Sequence, residues 1–161
     1  GLRLAARARV VALGAEWLGS EGVVLQHGLH DCGPAALANL IRLHGRTPPS
    51  LAKLARSLGT TPEGTRASDL VRVAREHGLQ LQTRQSTLAA VRRDELPIIA
   101  WVEGRHFVVV APHGSDRRLQ VIDPRMGAYA VERTQLAREW SGVVLSSAST
   151  RPSVLAQRST P

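Results

Sequence analysis

The first half of the chain places its apolar residues at helical spacing, between polar starts and glycine ends. The clearest case follows Asp31, whose side chain can cap a helix that starts near Cys32, and Gly45 is the stop signal. The same signals predict two further helices: Leu51 to Leu58, between Ser50 and Gly59, and a segment from Thr65 to Gly78.

The second half changes to runs of β-branched and aliphatic residues, the pattern of strands. One run, 107–111, is apolar on both faces, which indicates a strand covered on both sides. Turn residues at 103–104 and 113–116 indicate hairpins. The predicted strands are 79–83, 97–102, 105–111, 118–122 and 142–145, with one more short helix at 86–93. Helices first and antiparallel strands second predict an α+β fold.

Both ends of the chain differ in composition from residues 21–147, which form the predicted compact domain. Residues 2–19 have helical composition with arginines near the front, so 1–20 is predicted to be a helical or juxtamembrane segment. A basic helix on a membrane surface and a helix packed on the domain both fit, and we favour the packed helix. Residues 148–161 are rich in Ser, Thr and Pro, which predicts a disordered tail.

The net positive charge of the chain excludes few classes of binding partner. The formal net charge is +8, and Lys53 is the only lysine. Such a balance permits contact with nucleic acid, anionic lipid or acidic peptides. The arginines are scattered, however, and aromatic residues make up only 3% of the chain. Arginines interleaved with stacking aromatics are therefore missing, and no specific nucleic-acid partner is expected.

The chain contains a single cysteine, Cys32, so it forms no internal disulfide. A lone cysteine favours a reducing compartment, and no run approaches the roughly 18 apolar residues of a membrane helix. We therefore expect a cytoplasmic protein, with any membrane association made through a segment upstream of Gly1. By itself a lone cysteine is most often a small buried core residue, and a catalytic reading needs partners.

Two residues of the strand region are candidate partners for Cys32. If the hairpin through 112–117 pairs symmetrically about its turn, His106 lies directly opposite Asp123. A carboxylate there can bind the imidazole Nδ1–H and fix the tautomer. The predicted helix start places Cys32 among free N–H groups and at the positive end of the helix dipole, which stabilises a thiolate.

Gln26 and the backbone of Cys32 are the candidate oxyanion donors. Gln26 lies six residues before the cysteine, and its side-chain amide can act together with the Cys32 N–H. A metal site formed by His27, His30 and Cys32 is the alternative use of these residues. It lacks the second cysteine and the spacing of zinc sites, so neither a metal nor another cofactor is expected.

The segments Gln26-His-Gly-Leu-His-Asp-Cys-Gly-Pro-Ala-Ala-Leu, His106-Phe-Val-Val-Val and Asp123-Pro resemble the peptidase C39 family over about residues 22–146. Members are papain-like, bacteriocin-processing thiol proteases, often fused to the N-terminus of ABC exporters. The resemblance implies a papain-like fold with N-terminal helices packed on a mostly antiparallel sheet. It implies Cys32 as nucleophile, His106 as base, Asp123 as orienting carboxylate and Gln26 as oxyanion donor. It also implies cleavage of leader peptides after a Gly-Gly pair.

The sequence thus favours a cysteine peptidase that acts on a peptide or precursor protein through a thioester. No exporter sequence follows the domain within these 161 residues, so a separate exporter or a membrane surface is the expected further partner. Three alternatives stay open. They are a peptide-binding or regulatory module with little proteolysis, a papain-like amidase or transferase, and an arginine-driven binder of nucleic acid or membranes.

Overall fold

The computed structural model describes residues 2–147, so the predicted tail at 148–161 lies outside the described residues. The helices are α1 Leu2–Ala12, α2 Cys32–Leu43, α3 Leu51–Leu58, α4 Ala67–Glu76 and α5 Arg133–Leu136. The strands are β1 Glu16–Gly19, β2 Leu81–Gln85, β3 Ile98–Val102, β4 His106–Pro112, β5 Arg118–Asp123, β6 Gly127–Glu132 and β7 Trp140–Ser147. Short 3-10 turns occupy Leu88–Ala90, Arg93–Glu95 and Ala137–Glu139.

Local capping chemistry sets the ends of α3 as predicted. The Ser50 hydroxyl accepts a hydrogen bond from the Lys53 backbone N–H at 3.3 Å, and Gly59 closes the helix in the left-handed region at φ +63°. The predicted cap of α2 is wrong in its contact. Asp31 stands at the N-cap position, but its carboxylate accepts from the backbone N–H of Gly28 at 3.0 Å and makes no bond to the helix.

One antiparallel sheet of seven strands organises the molecule, in the order β1-β6-β5-β4-β3-β7-β2. Helices α2 and α4 bury their apolar sides against one face of the sheet, and α3 packs on these two helices. The other face is covered by α1, α5 and the first 3-10 turn, through residues such as Val10, Leu136 and Leu88. The central strands are therefore buried on both faces, which explains the continuous apolar run of β4. The α+β prediction is confirmed.

Two strands, β1 and β6, were not predicted from the sequence. The segment 2–19 was expected to be helical throughout, but α1 ends at Ala12 and Glu16–Gly19 is the edge strand β1. Strand β1 pairs with β6, Glu16 opposite Ala130, and so continues the sheet. The favoured packed-helix alternative describes α1 well, because Val10 is only 2% exposed and lies in the core. Within residues 2–147 no helix has both the length and the hydropathy needed to span a bilayer.

Candidate active site

Cys32 is the first residue of α2, and the residue is 7% exposed. An N–H group at this position has no intrahelical acceptor, so the helix end favours negative charge. Burial raises the pKa of the thiol, but hydrogen bonds to His106 and to the backbone of Phe107 outweigh burial, and the net pKa lies below its ordinary value. The geometry thus favours a thiolate.

His106 is the first residue of β4 and lies at the end of the sheet, where its imidazole contacts the thiol. The ring nitrogen that meets Asp123 is Nε2, at 2.7 Å from Oδ1, whereas the sequence had suggested Nδ1. Nδ1 is thereby left to face the thiol. Burial lowers the pKa of His106, but the hydrogen bonds to Asp123 and Cys32 outweigh burial and raise it.

The predicted register between the two strands is wrong by two residues. Strands β4 and β5 pair Val109 with Ile122, which places Asp123 level with Val108 and not with His106. The turn is centred one residue further along than expected, and such a displacement moves every pair by two. Because side chains alternate with a period of two, His106 and Asp123 still share a face and meet diagonally.

Asp123 is fully buried and is held by a residue that the sequence analysis missed, Arg125. The Arg125 guanidinium donates to both carboxylate oxygens, with the shortest bond 2.8 Å from Nη2 to Oδ2, and its backbone N–H donates to Oδ1 at 2.9 Å. Burial raises the pKa of Asp123, but the bonds from His106 and Arg125 outweigh it and hold the pKa well below its ordinary value. The available sequence signal was an arginine two residues after the motif aspartate.

Gln26 is anchored to the segment that follows Asp123. Its backbone N–H donates to the Pro124 carbonyl at 2.8 Å, and its side-chain Nε2 donates to the Gly28 carbonyl at 2.7 Å. One hydrogen of this amide is therefore committed to Gly28. Its Oε1 atom is buried without a hydrogen-bond partner among the described residues. The second amide hydrogen remains for a ligand in the cleft.

A cleft of about 540 Å³ opens beside the imidazole. Residues 26–29 form one part of its lining, and Arg105, His106 and Arg125 form another. His27 thus lies on the cleft wall. In the part of the chain that the structure describes, no three His, Cys, Asp or Glu side chains are grouped so as to hold a metal ion.

Gly33 follows the candidate nucleophile, and we expect Gly33→Ala to lower the free energy of unfolding by about 1–3 kcal/mol. A Cβ at this buried position would lie 2.6 Å from Thr65 Cβ, closer than packed atoms tolerate. Urea unfolding measures the change. Gly28→Ala is the matched control, because its Cβ would meet nothing closer than 3.5 Å. Equal stabilities of the two variants would contradict this packing argument.

These contacts form one chemical unit at the junction of helix and sheet. A buried thiol contacts an imidazole, the imidazole binds a buried carboxylate, and an amide side chain lies across the cleft. The lowered thiol pKa and the raised imidazole pKa favour the same charge-separated pair. Such a pair suits nucleophilic attack on a carbonyl followed by proton transfer to the leaving group.

Comparison with known sequences finds a family match over most of the chain. A family model described as the Peptidase C39 family matches residues 20–151. An uncharacterised protein of Methanothermobacter marburgensis is 31% identical over 129 residues, which cover 80% of this chain and 89% of the relative. A second uncharacterised protein, from Methanothermobacter thermautotrophicus, is 30% identical over 128 residues, with the same coverage.

Solved structures share the fold. A double glycine motif protease from an AMS/PCAT transporter, crystallised with the leader peptide, superposes with a TM-score of 0.70 at 21% identity. That match covers 83% of this chain and 98% of the other. The peptidase domain of Streptococcus ComA, a bifunctional ABC transporter of a quorum-sensing pathway, gives a TM-score of 0.67 at 24% identity. It covers 78% of this chain and 97% of that domain.

Proposed function

Since this chain belongs to the peptidase C39 family, we propose that it is a thiol peptidase that cleaves leader peptides after a Gly-Gly-type site. The family membership and the papain-like fold inferred from the motifs are confirmed. The observation that carries the catalytic proposal is the continuous contact from the Cys32 thiol through His106 to the buried carboxylate of Asp123.

The first half of the proposed reaction forms a thioester. The Cys32 thiolate attacks the carbonyl carbon of the scissile bond, and the carbonyl oxygen becomes an oxyanion. The backbone N–H of Cys32 and the free amide hydrogen of Gln26 donate to that oxygen. The His106 imidazolium then gives its proton to the leaving amine, the C–N bond breaks, and the acyl group stays on sulfur.

The second half restores the enzyme. The imidazole of His106, now neutral, takes a proton from water, and the resulting hydroxide attacks the thioester carbon. The C–S bond breaks, the acyl product leaves, and the thiolate–imidazolium pair forms again. Asp123 accepts from Nε2–H throughout, which keeps Nδ1 directed at the sulfur and stabilises the charged ring.

The proposed substrate class is inferred from the structural neighbours of this chain. One structural neighbour is named as a double glycine motif protease and is bound to the leader peptide. A leader that ends in Gly-Gly has no side chains at the cut and can enter a narrow site. We include a separate exporter, or a membrane surface, as the partner that receives the processed peptide.

A panel of synthetic leader peptides tests the substrate proposal. Peptides that end the leader in Gly-Gly, and matched peptides with Ala-Ala at that position, are incubated with the wild-type protein and with Cys32→Ala. Mass spectrometry should find cleavage after Gly-Gly by the wild type alone. Cleavage by neither protein, despite a reactive Cys32, would instead favour an amidase, a transferase or a peptide-binding module.

Gln26→Ala tests the oxyanion role separately from the thiol. Loss of one oxyanion donor should lower kcat for peptide cleavage by about a hundredfold. Alkylation of Cys32 by iodoacetamide passes through no oxyanion, so its rate should stay at the wild-type value. A variant that loses alkylation and cleavage together would show that Gln26 acts on the thiol or on the fold.

A further inference from the structure

Two hairpin turns lie directly beside His106 and Asp123 in the chain. The β3–β4 turn, residues 103–105, leads directly into His106, and the β5–β6 turn, residues 124–126, begins directly after Asp123. Because β4 and β5 are antiparallel, the start of one and the end of the other lie at the same end of the sheet.

Backbone pairing does not join these two strand ends. The register between β4 and β5 ends at the pair Val109–Ile122, before it reaches His106. His106 and Asp123 therefore meet through their side chains alone. Their 2.7 Å contact depends on whatever keeps the two turns together.

Arg125 joins the two turns. Its Nη2 atom donates to Asp123 Oδ2 at 2.8 Å and also to Glu103 Oε2 at 2.9 Å. The side chains of Arg125 and Glu103 are only 19% and 12% exposed, so water and salt screen this pair less than a surface pair. A planar guanidinium that binds two carboxylates fixes their relative orientation as well as their separation.

Arg9 of α1 extends this row of charges. Its two terminal nitrogens bind the carboxylates of Glu103 and Glu139. The backbone N–H of Glu103 also donates to the Glu139 carbonyl at 2.8 Å, and Gly104 N–H donates to Ser141 Oγ at 2.7 Å. The turn that leads into His106 is thus held from α1 and from the segment that enters β7. Arg9 lies before residue 20, where the family match begins.

We propose that Arg125 and Arg9 are positioning residues that hold the His106 turn and the Asp123 turn together through Glu103. Helix α1 then helps to fix the geometry of the active site through Arg9. The inference rests on the proposed function. Its competitor is a purely structural clamp, which would change the stability of the protein and leave the chemistry of the thiol as it is.

Tyr129 is a further titratable group that interacts with this row of charges. Burial, followed by the negative charges of Asp123 and Glu139, raises the pKa of Tyr129 far above its ordinary value. Tyr129 therefore stays protonated over any working pH. A change in the titration of Cys32 therefore does not come from ionisation of Tyr129.

The test compares two arginines of the same helix. Arg9→Gln removes the contact with Glu103, whereas Arg7→Gln removes a guanidinium that lies over the Trp17 ring, 5.4 Å from its centre. The rate of Cys32 alkylation by iodoacetamide is measured across pH, together with kcat and KM for a cleaved peptide. Arg9→Gln should slow alkylation at pH 6 and lower kcat by about tenfold, with KM unchanged. Its alkylation midpoint should move towards the ordinary thiol value of about 8.5.

The remaining variants separate positioning from folding. Arg7→Gln should keep the wild-type profile, and Arg9→Lys should recover part of the loss because one charge is retained. If a melting curve shows that Arg9→Gln is unfolded, Glu103→Gln is the second variant, with the same expected change. Wild-type profiles in Arg9→Gln and Glu103→Gln would overturn the positioning role, and so would a loss of the fold in both, since the row would then serve stability.

The same measurements distinguish this inference from the proposed function. An ordinary thiol midpoint in the wild-type protein would overturn both. A low midpoint in the wild type that shifts in Arg9→Gln, without cleavage of any leader peptide, would support positioning and overturn the leader-peptidase proposal.

Discussion

Replacement of His106 by alanine is expected to lower kcat for peptide cleavage by about four orders of magnitude. The variant has no base to protonate the leaving amine or to activate water. The thiol also loses its largest favourable contact while it stays buried, so the pKa of Cys32 should rise to at least its ordinary value of about 8.5. Peptide cleavage and iodoacetamide alkylation across pH measure the two effects.

His44→Ala is the matched control for this variant. His44 is exposed and lies just beyond the opposite end of the helix that begins at Cys32. It should leave both kcat and the alkylation profile unchanged. Rapid alkylation of His106→Ala below pH 7 would mean that the helix end alone activates the thiol, and the proposed pair would be refuted.

The second large effect is expected for Asp123→Asn, which should lower kcat by about three orders of magnitude. Asparagine keeps the size of the side chain but removes the charge that helps to raise the pKa of His106. Its amide can also donate to Nε2 and so select the wrong tautomer of the ring. Kinetics with a cleaved peptide measure the loss, and KM should change little because the substrate does not contact the buried carboxylate.

Asp123 should also make stability depend on pH. In the folded protein burial raises the pKa of Asp123, but the bonds from His106 and Arg125 outweigh it, so the pKa is lower than in the unfolded chain. The unfolded chain therefore takes up the proton first as pH falls. The stability that this carboxylate provides is complete above about pH 4 and is lost as the pH falls further towards the folded-state pKa. Urea unfolding of Asp123→Asn should show a flatter decline in acid.

Asp116→Asn supplies the comparison for both measurements. Asp116 pairs with Arg93 at 3.0 Å, but its side chain is 78% exposed, so the pair should contribute less than about 1 kcal/mol. This variant should retain wild-type kcat and a wild-type acid transition. A loss of activity equal to that of Asp123→Asn would mean that charge removal in general, and not this carboxylate, causes the effect.

Local signals predicted the helical half of the fold well. Ser50, the apolar spacing of α3 and Gly59 lie close together in the chain, so the predicted limits Leu51 to Leu58 agree with the structure. The first and sixth strands lacked such signals. β1 has only four residues behind a helix-like stretch, and β6 contains Gly127, Ala128 and Ala130, which are poor strand formers. β1 depends on its pairing with β6, and β6 on its pairing with β5 and β1, which are tertiary contacts.

The candidate site was predictable as a set of residues and less so as geometry. The motifs identified Cys32, His106, Asp123 and Gln26, and their roles stay predictions. The position of one turn decided the register, and the ring nitrogen that binds Asp123 depends on the resulting diagonal approach. Because side chains repeat every two residues, the error of two in register preserved the shared face.

The row of charges behind Asp123 could not be predicted from local sequence. Glu103 was assigned to a turn, a role that its positive φ of 56° fits, but its carboxylate also binds two arginines from distant segments. Arg9 and Arg125 were counted among scattered surface arginines. Only the folded chain distinguishes a partly buried guanidinium with a fixed partner from a solvated one.

The pairing of β1 with β6 has a consequence for the order of folding. Glu16–Gly19 is synthesised well before its partner strand β6, so the two cannot pair until all of the intervening helices and strands have been made. Helices α2, α3 and α4 contact one another across short loops and can form sooner, because nearby contacts close at a smaller entropic cost. Cys32 thus joins its helix before His106 and Asp123 have a sheet to lie on, and a nascent chain lacks the imidazole contact that lowers the pKa of the thiol.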